Sequence, residues 1–315
     1  MKSFNNYLMV AFASASLLFI PTTFAGEEVD ETLDSAGVNR VTIENLSGEV
    51  RVIGWDKSTV AVKGELDDNA EKLTFEKVGK TINIKVELPK RSKWSSSGSE
   101  LVIHMPSDIR MNFDGVSSDV NLKNLFKNVA VKTVSGNIKA SNLKDRVELS
   151  SVSGNITARD LFGKINLATV SGNIKDENSS GRIKLQVVSG EITSNSRATE
   201  VFVSNISGDS NLKLANVDEF KASTVSGDTT VSLFLKGNGE VKASTVSGEI
   251  KFDFQDDIAA DFRLNASAGG DLINKVTNQK ADHAKYGPSS KLYFQTGDAN
   301  GSVRLSTVSG DVKVL

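Results

Sequence analysis

Apolar and polar side chains alternate along this chain in a block that returns every 18 residues between about residues 111 and 210. A Ser-Gly pair marks each block. Ser135-Gly136, Ser153-Gly154, Ser171-Gly172, Ser189-Gly190 and Ser207-Gly208 stand at equal spacing, and looser copies follow at Ser226, Ser247 and Ser309. With the Ser as position 7, position 1 is Val129, Val147, Ile165, Ile183 and Val201, and position 3 is Val131, Leu149, Leu167, Leu185 and Val203. Position 6 is Val or Ile in every copy, and position 10 is Ile138, Ile156, Ile174 and Ile192 in the first four. Alternation at 1 and 3 predicts a strand with one buried face, and alternation at 10 and 12 predicts a second. Position 6 breaks the parity of position 3, since a regular strand cannot send both inward. The expectation is a corner at positions 5 to 8. There the position-6 aliphatics turn inward as a ladder, the serines stack as a hydroxyl ladder, and Gly supplies positive φ or room for the next rung's backbone. Position 9 (Asn137, Asn155, Asn173, Glu191, Asp209, Asp228, Glu249, Asp311) is expected to leave the turn and face water. Positions 13 to 18 are polar with Gly and Asn and close the rung.

Units of this length bury their apolar faces only against one another. The predicted fold is all-β: a single-stranded β-solenoid, right-handed or roll-like, with rungs of about 18 residues. A left-handed hexapeptide coil also takes 18 residues, but it needs an aliphatic side chain at every sixth position, which columns 1, 3, 6, 10 and 12 do not provide. Ten or eleven rungs at about 4.8 Å would make a rod of roughly 50 Å.

Outside the regular block the pattern loosens. Val41 to Val52 and Met111 to Val120 match the same columns, with Ser118 in place of the Gly. Strand-like runs lie between them, so residues 38–110 read as a β-rich start of the solenoid with a hairpin excursion, and residues 111–315 as the repeat solenoid. Phe262 to Leu264 resembles a degraded copy, residues 274–291 read as a loop, and Val303 to Leu315 forms a last clean rung. That rung leaves an exposed sheet edge, which either pairs with something or is covered by the 274–291 loop.

The N-terminus changes the picture. Lys2, an apolar run from Leu8 to Ile20, Pro21 and a small residue at Ala25 predict a secretory signal peptide over residues 1–25, followed by an acidic leader at 26–37. The run is short for a bilayer span. The expected location is the cell envelope, periplasmic or extracellular. The chain has no Cys, which excludes disulfides and thiolate metal sites. A net charge of −2 gives no basis for nucleic-acid binding. Aromatic residues make up only 6% of the chain, so large binding anchors are scarce.

The order Val41 to Asp56 (V-x-I-x-N-x-S-G-x-V-x-V-x-G-W-D), Leu101 to Pro106 (L-V-I-x-M-P) and then serial T-V-S-G-(N/D/E)-I copies resembles the bacterial "putative adhesin" family over about residues 38–315. The resemblance implies a β-solenoid at the cell envelope. It brings no catalytic residues and no cofactor.

The chemistry on offer is sparse. A nucleophilic Ser needs a base within reach, and the chain has only His104, in a strand-like run, and His283, in the irregular loop. The position-9 column lacks the glycine-rich nonapeptide of calcium rolls, so it reads as turn residues. No carboxylate pair for glycan cleavage recurs between neighbouring rungs. The one local cluster with binding character is Lys90, Arg91, Lys93 and Trp94. The expected function is a non-catalytic exported protein presenting a binding or adhesive surface to envelope glycan, a lipid surface or another protein. The alternative is a structural solenoid that associates end to end, with polysaccharide cleavage a third reading.

Overall fold

The structure is a computed structural model and describes residues 26–89 and 98–315. The expected signal peptide and the cluster Lys90, Arg91, Lys93 and Trp94 lie outside the described residues. The described chain forms 25 strands joined in one continuous, mostly parallel sheet, with no helix among the described residues.

Successive strands pair in register at the repeat interval. Lys144–Ser151 sets Val147 against Val129 on one side and against Ile165 on the other, while Ile156 pairs with Ile138 and Ile174. The repeat therefore builds two parallel faces. One carries positions 1 to 6, through Phe162–Ser171, Ser180–Ser189 and Glu200–Ser207. The other carries positions 10 to 13, through Ile174–Glu177 and Ile192–Ser196. Between the faces lies one core of stacked aliphatic side chains, with Val147, Leu149, Ile156, Leu167, Ile183 and Leu185 all buried. Toward the C-terminus the rungs lengthen and the core turns aromatic. Phe220, Phe252, Phe254, Phe262 and Phe294 follow one another at ring distances of 4.4 to 5.7 Å.

The corner differs from the expectation. Position 5 is buried (Thr133, Ser151, Thr169, Val187, Asn205, Thr224, Thr245 and Thr307), and position 6 is exposed. Strand alternation thus runs unbroken from 1 to 6, and the parity changes only after it. Backbone demand explains the choice. A small hydroxyl at position 5 reaches the corner peptides: Ser151 Oγ accepts from Gly154 N at 2.9 Å and donates to Gly136 O at 3.0 Å. Thr169 donates to Gly154 O, and Thr307 accepts from Gly310 N. Where position 5 is Val187 or Asn205 the corner N–H bonds the next rung instead, Gly190 N to Ser207 O and Gly208 N to Ser226 O. The buried hydroxyl ladder is therefore at position 5. The marker serines Ser135, Ser153, Ser171, Ser189 and Ser207 are exposed.

The Gly after each Ser is required by close approach. A Cβ on Gly154 would stand 1.9 Å from Gly136 O, and one on Gly136 only 1.7 Å from Ser118 O. Positive φ accompanies this at Gly48, Gly190, Gly208, Gly227 and Gly248, but not at Gly136, Gly154, Gly172 or Gly310. Position 9 is exposed but not idle. Asn155 N–H donates to Asn137 Oδ1, Asn173 N–H to Asn155 Oδ1, and Glu191 N–H to Asn173 Oδ1, at 2.8 to 3.0 Å. The closing segment also differs from the expectation: Leu125, Leu143 and Leu161 are buried as a third aliphatic column. Each follows a left-handed residue, Asn124, Asn142 or Asp160, and Asn and Asp tolerate that conformation well.

The C-terminal edge is not open. Val312–Val314 lies between Ile250–Phe254 and Leu272–Asn274, and both its valines are buried. Gly301–Thr307 is likewise held between Thr229–Ser247 and Ala260–Ala266. The last rung in sequence fills a gap one rung in from the end. Outside it, Ser290–Gln295 runs antiparallel along Ala260–Ala266. At the other end Thr59–Glu65 and Lys72–Val78 add antiparallel strands, and Glu28–Asp34 adds one more.

Candidate functional site

The inverted corner puts an apolar column on the outside of the molecule. Leu46, Val116, Val134, Val152, Val170, Val188, Ile206, Val225, Val246 and Val308 occupy position 6 of ten neighbouring rungs, each 41% to 48% exposed. Their line is set by the same ladder that holds the strands: Ser153 N–H bonds Val134 O and Ser171 N–H bonds Val152 O. At about 4.8 Å per step the column runs roughly 43 Å. Contiguous exposed aliphatic surface of this kind marks interaction sites in soluble proteins.

Beside the column lies a trough of about 610 Å³. Its wall is Val134, Val152, Val170, Val188 and Ile206, and its floor is position 4, where Ser150, Ala168 and Ser204 are short and Lys132 and Gln186 are longer. Ser204 also borders a second recess of about 280 Å³. There the outward position-2 column carries Lys184, Phe202, Lys221 and Lys242 in successive rungs. Lys221 is paired to Glu219, whose carboxylate raises the Lys221 pKa through a side-chain hydrogen bond, and its ammonium also lies over the Phe202 ring. Lys184 and Lys242 form no ion pair among the described residues.

Other clusters fit chemistry less well. A recess of about 450 Å³ near the N-terminal end holds Glu28, Glu49, Arg51, Glu65 and Glu100. Arg51 hydrogen-bonds Glu49 at 2.6 Å and holds its carboxyl below the usual value, the opposite of what a general acid for glycan cleavage requires. A recess of about 570 Å³ contains Trp55, Asp56, Lys57 and Asp108. The Trp55 ring is stacked on His104 at 5.1 Å and has the Lys57 ammonium over it at 4.8 Å, so a sugar would compete with both groups for the ring. His283 is exposed in the short strand Asp282–His283. Asp176 is buried in the core at position 12, where desolvation pushes its pKa to about 6 against hydrogen bonds from Ser179 and Ser194. Among the described residues no group of three or more His, Asp or Glu is placed to hold a metal.

The trough was legible in part. Its aliphatic column stood out in the sequence, but on the wrong side of the wall. The position-2 lysines are too irregular to signal a site until the register aligns them.

Residues 38–315 match the model of the Toastrack DUF4097 family, and the chain belongs to that family of unknown function. No curated protein matches the sequence. A Parabacteroides merdae protein named "putative adhesin" has 10% identity and a TM-score of 0.50, over 72% of this chain and 96% of its own, and shares the fold. A Bacteroides fragilis protein of the same name has 14% identity and a TM-score of 0.39, over 92% of this chain and 97% of its own. A Parabacteroides distasonis protein named "Putative lipid binding protein" has 12% identity and a TM-score of 0.38, with the same coverages.

Proposed function

We propose that this chain is a non-catalytic exported protein of the cell envelope, and that its binding surface is the apolar position-6 column with the adjoining trough. The exposed line of ten aliphatic side chains carries the reading. We infer further that the rungs wind as a single-stranded β-solenoid, right-handed or roll-like, behind a signal peptide of residues 1–25 and a leader of 26–37. Cleavage after Ala25 would leave Gly26 as the first residue of the exported form, which N-terminal sequencing reads directly. Antiparallel strands at both ends leave end-to-end stacking with less support than lateral binding.

Co-sedimentation with isolated envelope fragments tests the surface. Val152 and Val188 are exposed, so Val152→Glu with Val188→Glu leaves the core packing intact. The double variant should lose most of the sedimenting fraction while keeping its circular dichroism spectrum. Sedimentation equal to the unsubstituted protein would refute the assignment.

A further inference from the structure

We propose that the trough holds one acyl chain of a monoacyl anionic lipid, with the headgroup against Lys184 and Lys242. The inference rests on the surface assigned above and adds its ligand. Three observations point to this chemistry. First, the trough is long. It spans six rungs, from that of Asp114 to that of Ile206, or about 24 Å at the rung spacing, which is the length of an extended long acyl chain.

Second, the lining excludes the commoner alternatives. An extended peptide would need free backbone donors and acceptors, but the trough is walled by strands whose backbone groups are engaged with both neighbouring rungs. A sugar would need aromatic faces and dense hydrogen bonding, whereas this wall is Val and Ile, no aromatic side chain lines the trough, and Gln186 is the one long polar side chain of the floor apart from Lys132 at its end. An unbranched hydrocarbon asks only for apolar contact.

Third, the trough has a polarity. At one end Asp114 and Lys132 offset each other in formal charge. At the other, the recess bordered by Ser204 holds Lys242 two rungs past Ser204 and Lys184 one rung before it, both without acidic partners among the described residues. An anionic head therefore belongs at the Lys184–Lys242 end, with the chain running back along Ile206, Val188 and Val170. The occupant is a single-chain lipid taken up as a monomer.

Isothermal titration with palmitoyl-lysophosphatidylglycerol below its micelle concentration tests the proposal. Palmitate serves as a carboxylate arm and zwitterionic palmitoyl-lysophosphatidylcholine as the control. One-to-one binding is expected. Val170→Glu, at an exposed site, should weaken it at least about tenfold by placing a charge against the chain. Lys184→Ser with Lys242→Ser should weaken the phosphate and carboxylate ligands by roughly three- to tenfold and leave the zwitterionic one nearly unchanged. Absence of binding, or binding indifferent to Val170→Glu, overturns the proposal. Equal effects of the lysine changes on all three ligands overturn the headgroup placement. Association with diacyl vesicles but with no monomer overturns the monoacyl occupant in favour of a bilayer surface. If Val152→Glu with Val188→Glu abolishes envelope sedimentation while no amphiphile binds, the occupant is wrong and the surface stands. If sedimentation is unaffected as well, both fail.

Discussion

Asp176 sits where neighbouring rungs carry Ala158 and Ser194, facing the core and 1% exposed. Its Oδ2 accepts from Ser194 Oγ at 2.9 Å, and Ser179 donates to Oδ1. Neither donor is charged, so desolvation dominates and the pKa rises from 3.8 to about 6. At about 1.4 kcal/mol per unit, the ionised form costs the folded state roughly 3 kcal/mol. The direction is the reverse of ordinary acid denaturation. The folded chain binds this proton at pH values where the unfolded chain has released it. The cost is complete above about pH 6 and fades as pH falls toward 4. Replacing Asp176 with Asn keeps the shape and removes the titration. Urea unfolding followed by circular dichroism at pH 4.5, 6.0 and 7.5 gives the stability difference between the two proteins, and other carboxylates cancel in that difference. Asp176→Asn should be more stable by about 2–3 kcal/mol at pH 7.5, and the gap should close toward pH 4.5. A gap independent of pH, or one that widens on acidification, would show that the buried carboxylate is not the source of the shift.

Three further outcomes probe the repeat itself. Gly154→Ala forces a Cβ to within 1.9 Å of a carbonyl oxygen and should cost about 2–4 kcal/mol in urea unfolding, while Gly237→Ala, with open space around it, should stay within about 0.5 kcal/mol. Ser151→Ala strands two corner peptide groups and should cost about 1–2 kcal/mol, whereas Ser153→Ala on the exposed marker serine should be nearly silent; equal effects would return the hydroxyl ladder to the marker column. Replacing residues 282–295 with a flexible linker uncovers the Ala260–Ala266 edge and should produce concentration-dependent oligomers in light scattering, which the intact chain lacks if the antiparallel cap does its work.

Much of the fold was legible because the repeat is written in core residues. Positions 1, 3, 10 and 12 predict two strands and their register without help from structure, since the side chain that must be buried is the one that repeats. Three features escaped. The first was the corner. Hydrophobicity alone sends Val134 inward and Thr133 outward, but the corner peptides of Gly136 need a hydroxyl beneath them, and that demand outweighs the apolar preference. The second was the leucine column at Leu125, Leu143 and Leu161, one apolar residue in a polar stretch, whose burial depends on the left-handed turn before it. The third was the order of the last rungs. Local pattern carries no information about which of two matching edges a strand will join, so Val303 to Leu315 read as an end although it lies inside the stack.

The corner bears most directly on function. Val has high strand propensity, so exposed valines alone would not be informative. Other outward columns provide the control. Position 4 points outward from the same strands and position 11 from the strands of the other face, and they hold Lys132, Ser150, Ala168 and Gln186, or Lys139, Thr157, Lys175 and Thr193. Thr would satisfy strand geometry at position 6 as well as Val and would keep the surface polar. The position instead carries Leu, Val or Ile in all ten rungs, including the irregular ones at Leu46, Val225, Val246 and Val308. Folding does not ask for this, because none of these side chains is buried. An aliphatic line held on the outside of every rung while its neighbours vary is what the proposed contact with an apolar partner calls for, and the trough along it is the place the proposal assigns to that contact.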